Sequence, residues 1–165
     1  MKLTPMQYVC ENDHKFLAPN LSPYLYGEFL LRSRNGGIRY LDAVADPVFD
    51  NVSHLVRQVL SEENIKVPDW LDIFQDIFGE VACDPDVDGT YFKMNLPPPC
   101  PTCGTYMMQS WDSANSDPVE TDVANVTHGG WDRMTEAEKH YHIRTAVKEY
   151  FLNTGNTPYT LRDGL

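Results

Sequence analysis

The chain has 165 residues, 42% of them hydrophobic, and a formal net charge of −11 at pH 7 from 13 basic and 24 acidic side chains. That length and apolar share suffice for one domain with its own core, and the acid excess argues against a protein that grips nucleic-acid phosphates, which needs a basic footprint. No apolar run is long enough to span a membrane, and residues Met1 to Gln7 lack the apolar stretch of a signal peptide, so a cytoplasmic protein is expected.

In chain order, residues 6–10 and 15–17 read as short strands on either side of a Cys10-x3-His14 turn. Residues 26–33 and 38–42 alternate as a hairpin, with Asn35-Gly36 supplying the two positive-φ positions of a tight primed turn. From Asp46 the period lengthens. Asp46 can cap, Pro47 suits the first helical position, and Val48, Val52, Leu55 and Val59 share one stripe, which predicts a helix to about residue 63. A second helix is expected over 69–78, burying Trp70, Ile73, Phe74, Ile77 and Phe78, with Gly79 placed to end it. Residues 90–95 and 106–111 read as two strands bracketing Pro97-Pro98-Pro99-Cys100-Pro101-Thr102-Cys103-Gly104, whose triple proline cannot join a ladder. Residues 119–126 suggest another strand. A final helix over 136–151 opens on a capping box between Thr135 and Glu138, and residues 153–165 show turn residues without periodicity.

Cys10-x3-His14 and Cys100-Pro-Thr-Cys103-Gly together resemble the two knuckles of a zinc ribbon, in which each tight turn offers two ligands and two turns complete a tetrahedron. The resemblance implies a structural zinc ion held by Cys10, His14, Cys100 and Cys103, because four protein ligands close the shell and leave no place for water. It covers the parts at about 6–17 and 90–111. C-P-x-C-G is specific alone, since its proline and glycine set the turn that aims both sulfurs at one point; C-x3-H gains its weight as the partner. The interval of 85 residues between His14 and Cys100 is far longer than a ribbon usually has. His128 and Cys83 are the other candidates for the fourth position. The four cysteines can also be read as disulfides or as buried reduced thiols. A competing metal motif is Asp84-Pro85-Asp86-Val87-Asp88-Gly89, which resembles the first half of a calcium-binding EF-hand loop. Its twelfth position is Asn95, where a bidentate glutamate belongs, and Leu96 to Pro99 cannot open the helix that should follow.

Residues 41–89 hold twelve acids against two bases, minus ten in all, nearly the whole net charge. Asp69, Asp72, Asp76 and Glu80 are spaced by three, four and four, so they form one acidic stripe opposite the apolar one. Such a stripe serves as a solvated face or as a surface for a basic protein partner, whose approach it would steer. The first forty residues lean positive, and Arg32, Arg34 and Arg39 flank the hairpin turn. No phosphate-binding glycine loop, G-x-S-x-G or H-E-x-x-H occurs, and His140 and His142, two apart on a helix, cannot chelate one ion together.

The expected architecture is a single α+β domain over 1–165: a small antiparallel sheet with zinc-ribbon-like knuckles, a helical acidic insertion over about 41–89 and a C-terminal helix. The expected function is non-enzymatic protein binding, in its most concrete form a microbial inhibitor or immunity-type protein whose acidic face covers a basic partner. The alternatives are a metal-dependent enzyme and an adaptor without inhibitory role.

Overall fold

The computed structural model describes residues 1–22, 26–155 and 159–160. Among them the chain is α+β, with small antiparallel sheets and four helices. In order they are β1 (Lys2–Cys10), β2 (Lys15–Asn20), β3 (Glu28–Ser33), β4 (Ile38–Asp42), α1 (Pro47–Glu62), β5 (Ile65–Lys66) and α2 (Trp70–Ala82). Then come β6 (Phe92–Lys93), β7 (Met108–Ser113), β8 (Val119–Glu120), α3 (Gly129–Asp132), α4 (Glu136–Thr154) and β9 (Tyr159–Thr160).

The first sheet is built on β1, with β2 on one edge and β7 on the other. The β1–β2 hairpin runs from Thr4↔Asn20 to Val9↔Lys15, and β7 pairs from Met6↔Ser113 to Cys10↔Met108 with a register shift between Val9 and Cys10. In the second sheet β3 lies between β4 and β6. Its hairpin differs from the two-residue turn expected. Ser33 N–H donates to the Gly37 carbonyl and Gly36 N–H to the Ser33 carbonyl, which leaves three residues in the loop. Only Gly36, at φ 86°, takes the left-handed conformation, the single such position a three-residue turn requires.

The expected pairing of 90–95 with 106–111 does not form. Phe92 and Lys93 pair instead with Ser33 and Arg32 of β3, while β7 lies on β1. Pro97, Pro98 and Pro99 separate the two segments; three residues that cannot sit in a ladder carry the chain from the second sheet across to the first. The strand expected over 119–126 shrinks to β8, paired at Lys2↔Glu120 and Leu3↔Val119, plus a lone parallel bridge between Tyr40 and Asn125.

Local chemistry accounts for the helices. The Asp46 carboxylate accepts from Val48 N–H at 2.8 Å and Phe49 N–H at 3.3 Å, so α1 begins where its cap and proline place it. The Thr135–Glu138 capping box is complete, and α4 ends on Gly155 at φ 67°, three residues beyond the sequence expectation. Past it, the tail expected to be irregular contributes β9, which pairs with β5; residues 161–165 lie outside the described residues.

Gly79 does not end α2, which continues to Ala82. A Cβ at Gly79 would stand 2.0 Å from the Phe92 carbonyl oxygen, so the missing side chain is what lets β6 lie against the helix. Gly79→Ala should therefore destabilise the fold by about 1–3 kcal/mol through overpacking, despite roughly 1 kcal/mol of better helix propensity. Urea unfolding reads the difference, and an unchanged midpoint would mean that β6 can back away freely.

The principal core joins α1, α2 and α4 to the inner face of β3 and β4, through Leu31, Leu41, Val56, Phe74, Phe78 and Ile143 among others. The Phe49 ring meets Phe74 edge-on at 4.8 Å and Phe78 at 5.3 Å. The helical segment described from sequence as an insertion thus carries the main hydrophobic core. None of Cys10, His14, Cys100 and Cys103 belongs to that cluster. The sheet bearing the knuckles rests on the other side of β3.

Candidate metal centre

Two turns bring four donor atoms together from opposite ends of the sequence. In the first, Asp13 N–H donates to the Cys10 carbonyl at 3.0 Å and Cys10 N–H to the His14 carbonyl at 3.1 Å. Asp13 adopts φ 62°, a left-handed conformation that aspartate tolerates better than most residues. In the second, Gly104 N–H donates to the Cys100 carbonyl at 2.7 Å and Cys100 N–H to the Thr105 carbonyl at 2.9 Å, with Gly104 at φ 73°. The pairing of β1 with β7 sets the two turns side by side.

The four ligand atoms all lie within 4.8 Å of one another. Cys10 Sγ is 3.5 Å from His14 Nδ1 and 3.8 Å from Cys103 Sγ, and Cys100 Sγ is 3.7 Å from His14 Nδ1. Cys10 and Cys100 are buried, His14 is half-buried and Cys103 faces solvent. These residues could hold a metal ion, and they are the set the sequence singled out.

Neighbouring donors tune the sulfurs. The Cys103 thiol is held down at about 6, first by the Asn12 side-chain amide at 3.4 Å and then by Thr105 N–H. At Cys100 burial raises the pKa, but the N–H groups of Cys103 and Thr102 outweigh it and bring it below its ordinary value. Burial pushes the Cys10 thiol up, against the N–H groups of Asn12 and His14. Hydrogen bonds with Cys103 and Cys100 raise His14. Donors aimed at sulfur favour the thiolate, the form that binds metal. Around this shell Gln109 Nε2 donates to the Glu11 carbonyl at 3.1 Å and to Asp13 Oδ1 at 3.0 Å, and Glu11 N–H donates to the Met107 carbonyl at 2.9 Å. The first knuckle is thereby tied to β7. Asn12 was findable as a polar residue inside the Cys10–His14 turn; Gln109 had no local signal, because its role depends on the β1–β7 register.

The two substitutes for His14 are engaged elsewhere. Cys83 is buried at the end of α2, and burial, then the charges of Asp46 and Asp84, push its thiol up to about 12. His128 spans from the Ala82 carbonyl, 2.7 Å from Nδ1, to the Asp46 carboxylate, 2.8 Å from Nε2. It links the start of α1 to the end of α2.

The acidic loop does not form a calcium cradle. The Asp84 carboxylate turns away to accept from Thr127 Oγ1 and from the N–H groups of Gly129 and Gly130, all at 2.7–2.8 Å, which lowers its pKa. Asp86 pairs with Arg39 at 3.1 Å, and Asp88 is occupied by Thr90 and Asn35, which pull its pKa to about 2. Among the described residues the cysteine–histidine set is the one group of donors close enough together for an ion.

On the acidic stripe, Asp69 caps α2 by accepting from Leu71 N–H at 2.8 Å, and Asp76 pairs with Lys93 at 3.4 Å. Asp69, Asp72 and Glu80 are exposed, and Asp72 and Glu80 make no side-chain hydrogen bond or ion pair among the described residues. The Glu62–Glu63 pair is answered from α4, where His140 and Arg144 reach Glu62 at 2.8 and 3.0 Å and Arg144 also reaches Glu63 at 3.0 Å. Among the described residues no helix is long and apolar enough to cross a membrane. No family model, curated protein or solved structure matches this chain.

Proposed function

We propose that Cys10, His14, Cys100 and Cys103 hold one structural zinc ion, and that the chain acts by binding a basic protein partner rather than by catalysis. The observation that carries the metal reading is the size of the donor cluster. With about 2.3 Å to sulfur and about 2.05 Å to nitrogen, a regular tetrahedron around Zn²⁺ sets sulfur–sulfur edges near 3.8 Å and sulfur–nitrogen edges near 3.6 Å. Three of the six edges, at 3.8, 3.5 and 3.7 Å, agree with these values, and all four donors lie within 4.8 Å of one another. Three thiolates and an imidazole are soft donors that suit zinc over calcium or magnesium. Four protein ligands fill the shell, which supports a structural role over a catalytic one.

The binding half of the proposal is supported by the concentration of acid at 41–89 and by two exposed carboxylates of the stripe, Asp72 and Glu80, that make no ion pair among the described residues. In its most specific form the partner is a toxin or nucleic-acid enzyme whose basic site this face would cover, as an inhibitor or immunity-type protein does. The test reverses those two charges. Asp72→Lys with Glu80→Lys leaves the packed positions Ile73, Phe74 and Ile77 untouched, so folding should survive. Association with the partner should slow by about tenfold or more at low salt, and the gap should close as screening increases. Immobilised wild type and double variant, exposed to the same lysate at several salt concentrations, provide the comparison. The reading requires basic proteins retained by the wild type alone and lost as salt rises; the same proteins on both forms would overturn it.

A further inference from the structure

Arg32 is a cation where the fold gives it no acid to answer. It projects from β3 away from the principal core, is 7% exposed, and donates through Nη2 to the Pro19 carbonyl of β2. Among the described residues no carboxylate lies within ion-pairing distance of it, although the chain has 24. Burial without a counter-charge holds its pKa below the ordinary value, with Tyr8 the neighbour that opposes this.

The guanidinium lines a cleft of about 360 Å³ between the two sheets, a volume within the range of small-molecule sites. Its wall carries no aspartate or glutamate. Its polar groups are mostly donors. Asn20 Nδ2 donates to the Tyr8 hydroxyl at 3.1 Å, which occupies a lone pair there and leaves the phenolic proton to point elsewhere, while Asn20 Oδ1 is taken by Leu21 N–H at 2.9 Å. Arg32 has five N–H donors, more than the Pro19 carbonyl and Tyr8 can take. Asn95 is the fourth polar residue of the wall, its Nδ2 donating to Gln75 Oε1 at 2.8 Å, and the rest is apolar. Leu30 and Met94 form part of it, and Trp111, directly across from Tyr8 in the β1–β7 register, stands at the mouth 65% exposed. A large indole left in water beside a buried, uncompensated cation is the arrangement of a site with an anionic end and a flat apolar end.

We infer that this cleft binds a small carboxylate whose anionic head sits on Arg32 and the Tyr8 hydroxyl and whose flat apolar body lies against Trp111 and Leu30. A carboxylate matches the forked guanidinium geometry and accepts the surplus donors. The site is separate from the metal centre and from the acidic stripe.

The probe is 1-naphthaleneacetate, followed through the indole N–H signal of Trp111 in ¹⁵N–¹H spectra of the full metal-loaded chain, with 1-naphthaleneacetamide and acetate as comparisons. The acid should shift that signal saturably, while the amide, which lacks the charge, and acetate, which lacks the ring, should each bind at least about tenfold more weakly, or 1.4 kcal/mol. Arg32→Met should abolish the preference for acid over amide. Because that residue is buried, Trp111→Ala provides a second arm at an exposed position; it should fold normally and weaken the acid about fivefold to tenfold, read from the Leu30 and Met94 methyl signals. No saturable shift, equal response to acid and amide, or undiminished binding by folded Trp111→Ala would each overturn the site.

Discussion

Cys103→Ser is expected to empty the metal centre and to loosen one sheet while the helices persist. Removing the sulfur takes away the ligand best prepared to be a thiolate, the one that Asn12 and Thr105 hold at about 6. Binding energy at a structural site is folding energy, so the knuckles should lose their shape with the ion. The damage has a boundary. The ligands lie outside the principal core of α1, α2, α4, β3 and β4, which keeps its own apolar packing. The far-ultraviolet helical signal should therefore remain close to that of the parent, while amide exchange accelerates in β1, β2 and β7 and melting ceases to be two-state. A strong chelator should reproduce the pattern in the parent. His14→Ala should be milder, since three thiolates remain and water can take the fourth place; His128 cannot, being held by Asp46 and Ala82. Metal content by mass spectrometry decides the matter. About one zinc per chain in Cys103→Ser, with unchanged melting, would eliminate the proposed site.

Phe78→Ala should cost about 3–5 kcal/mol, the range for emptying a fully packed phenylalanine position. Phe78 is wholly buried, with the rings of Phe49 at 5.3 Å, Phe74 at 5.5 Å and His128 at 6.2 Å around it. These neighbours come from α1, from α2 itself and from the segment before α3, so no single backbone shift can close the void. Against a total stability of roughly 5–15 kcal/mol this is a large share, and the melting temperature should drop by roughly 6–20 °C. Leu152→Ala, at a position 81% exposed on α4, is the control and should stay within about 0.5 kcal/mol. A loss below about 1 kcal/mol at Phe78 would mean that the ring cluster repacks and that the core is less rigid than its contacts imply.

The sequence by itself determined the features that rest on a few neighbouring residues. Asp46-Pro47 and the Thr135–Glu138 box set two helix starts, because a cap is satisfied by backbone amides two or three residues away. The four clustered donors Cys10, His14, Cys100 and Cys103 were legible as two local turns, the second shaped by the proline and glycine of Cys100-Pro-Thr-Cys103-Gly, while their convergence came from the pairing of β1 with β7. Tertiary structure decided what depends on distant partners. Residues 106–111 had two possible neighbours, and the choice of β1 over 90–95 followed from three prolines that part the segments and from a free edge on β1. Gly79 carried the signature of a helix stop, yet its use is to admit the Phe92 carbonyl, a contact no local pattern encodes. Arg32 looked like one of three charges at a hairpin tip; only the packing of one sheet on the other turned it inward, to the Pro19 carbonyl and the cleft beside Tyr8. Short-range capping and turn chemistry act within a few residues, whereas strand partners, close backbone approach and the burial of a lone charge are fixed by which surfaces the whole chain brings together.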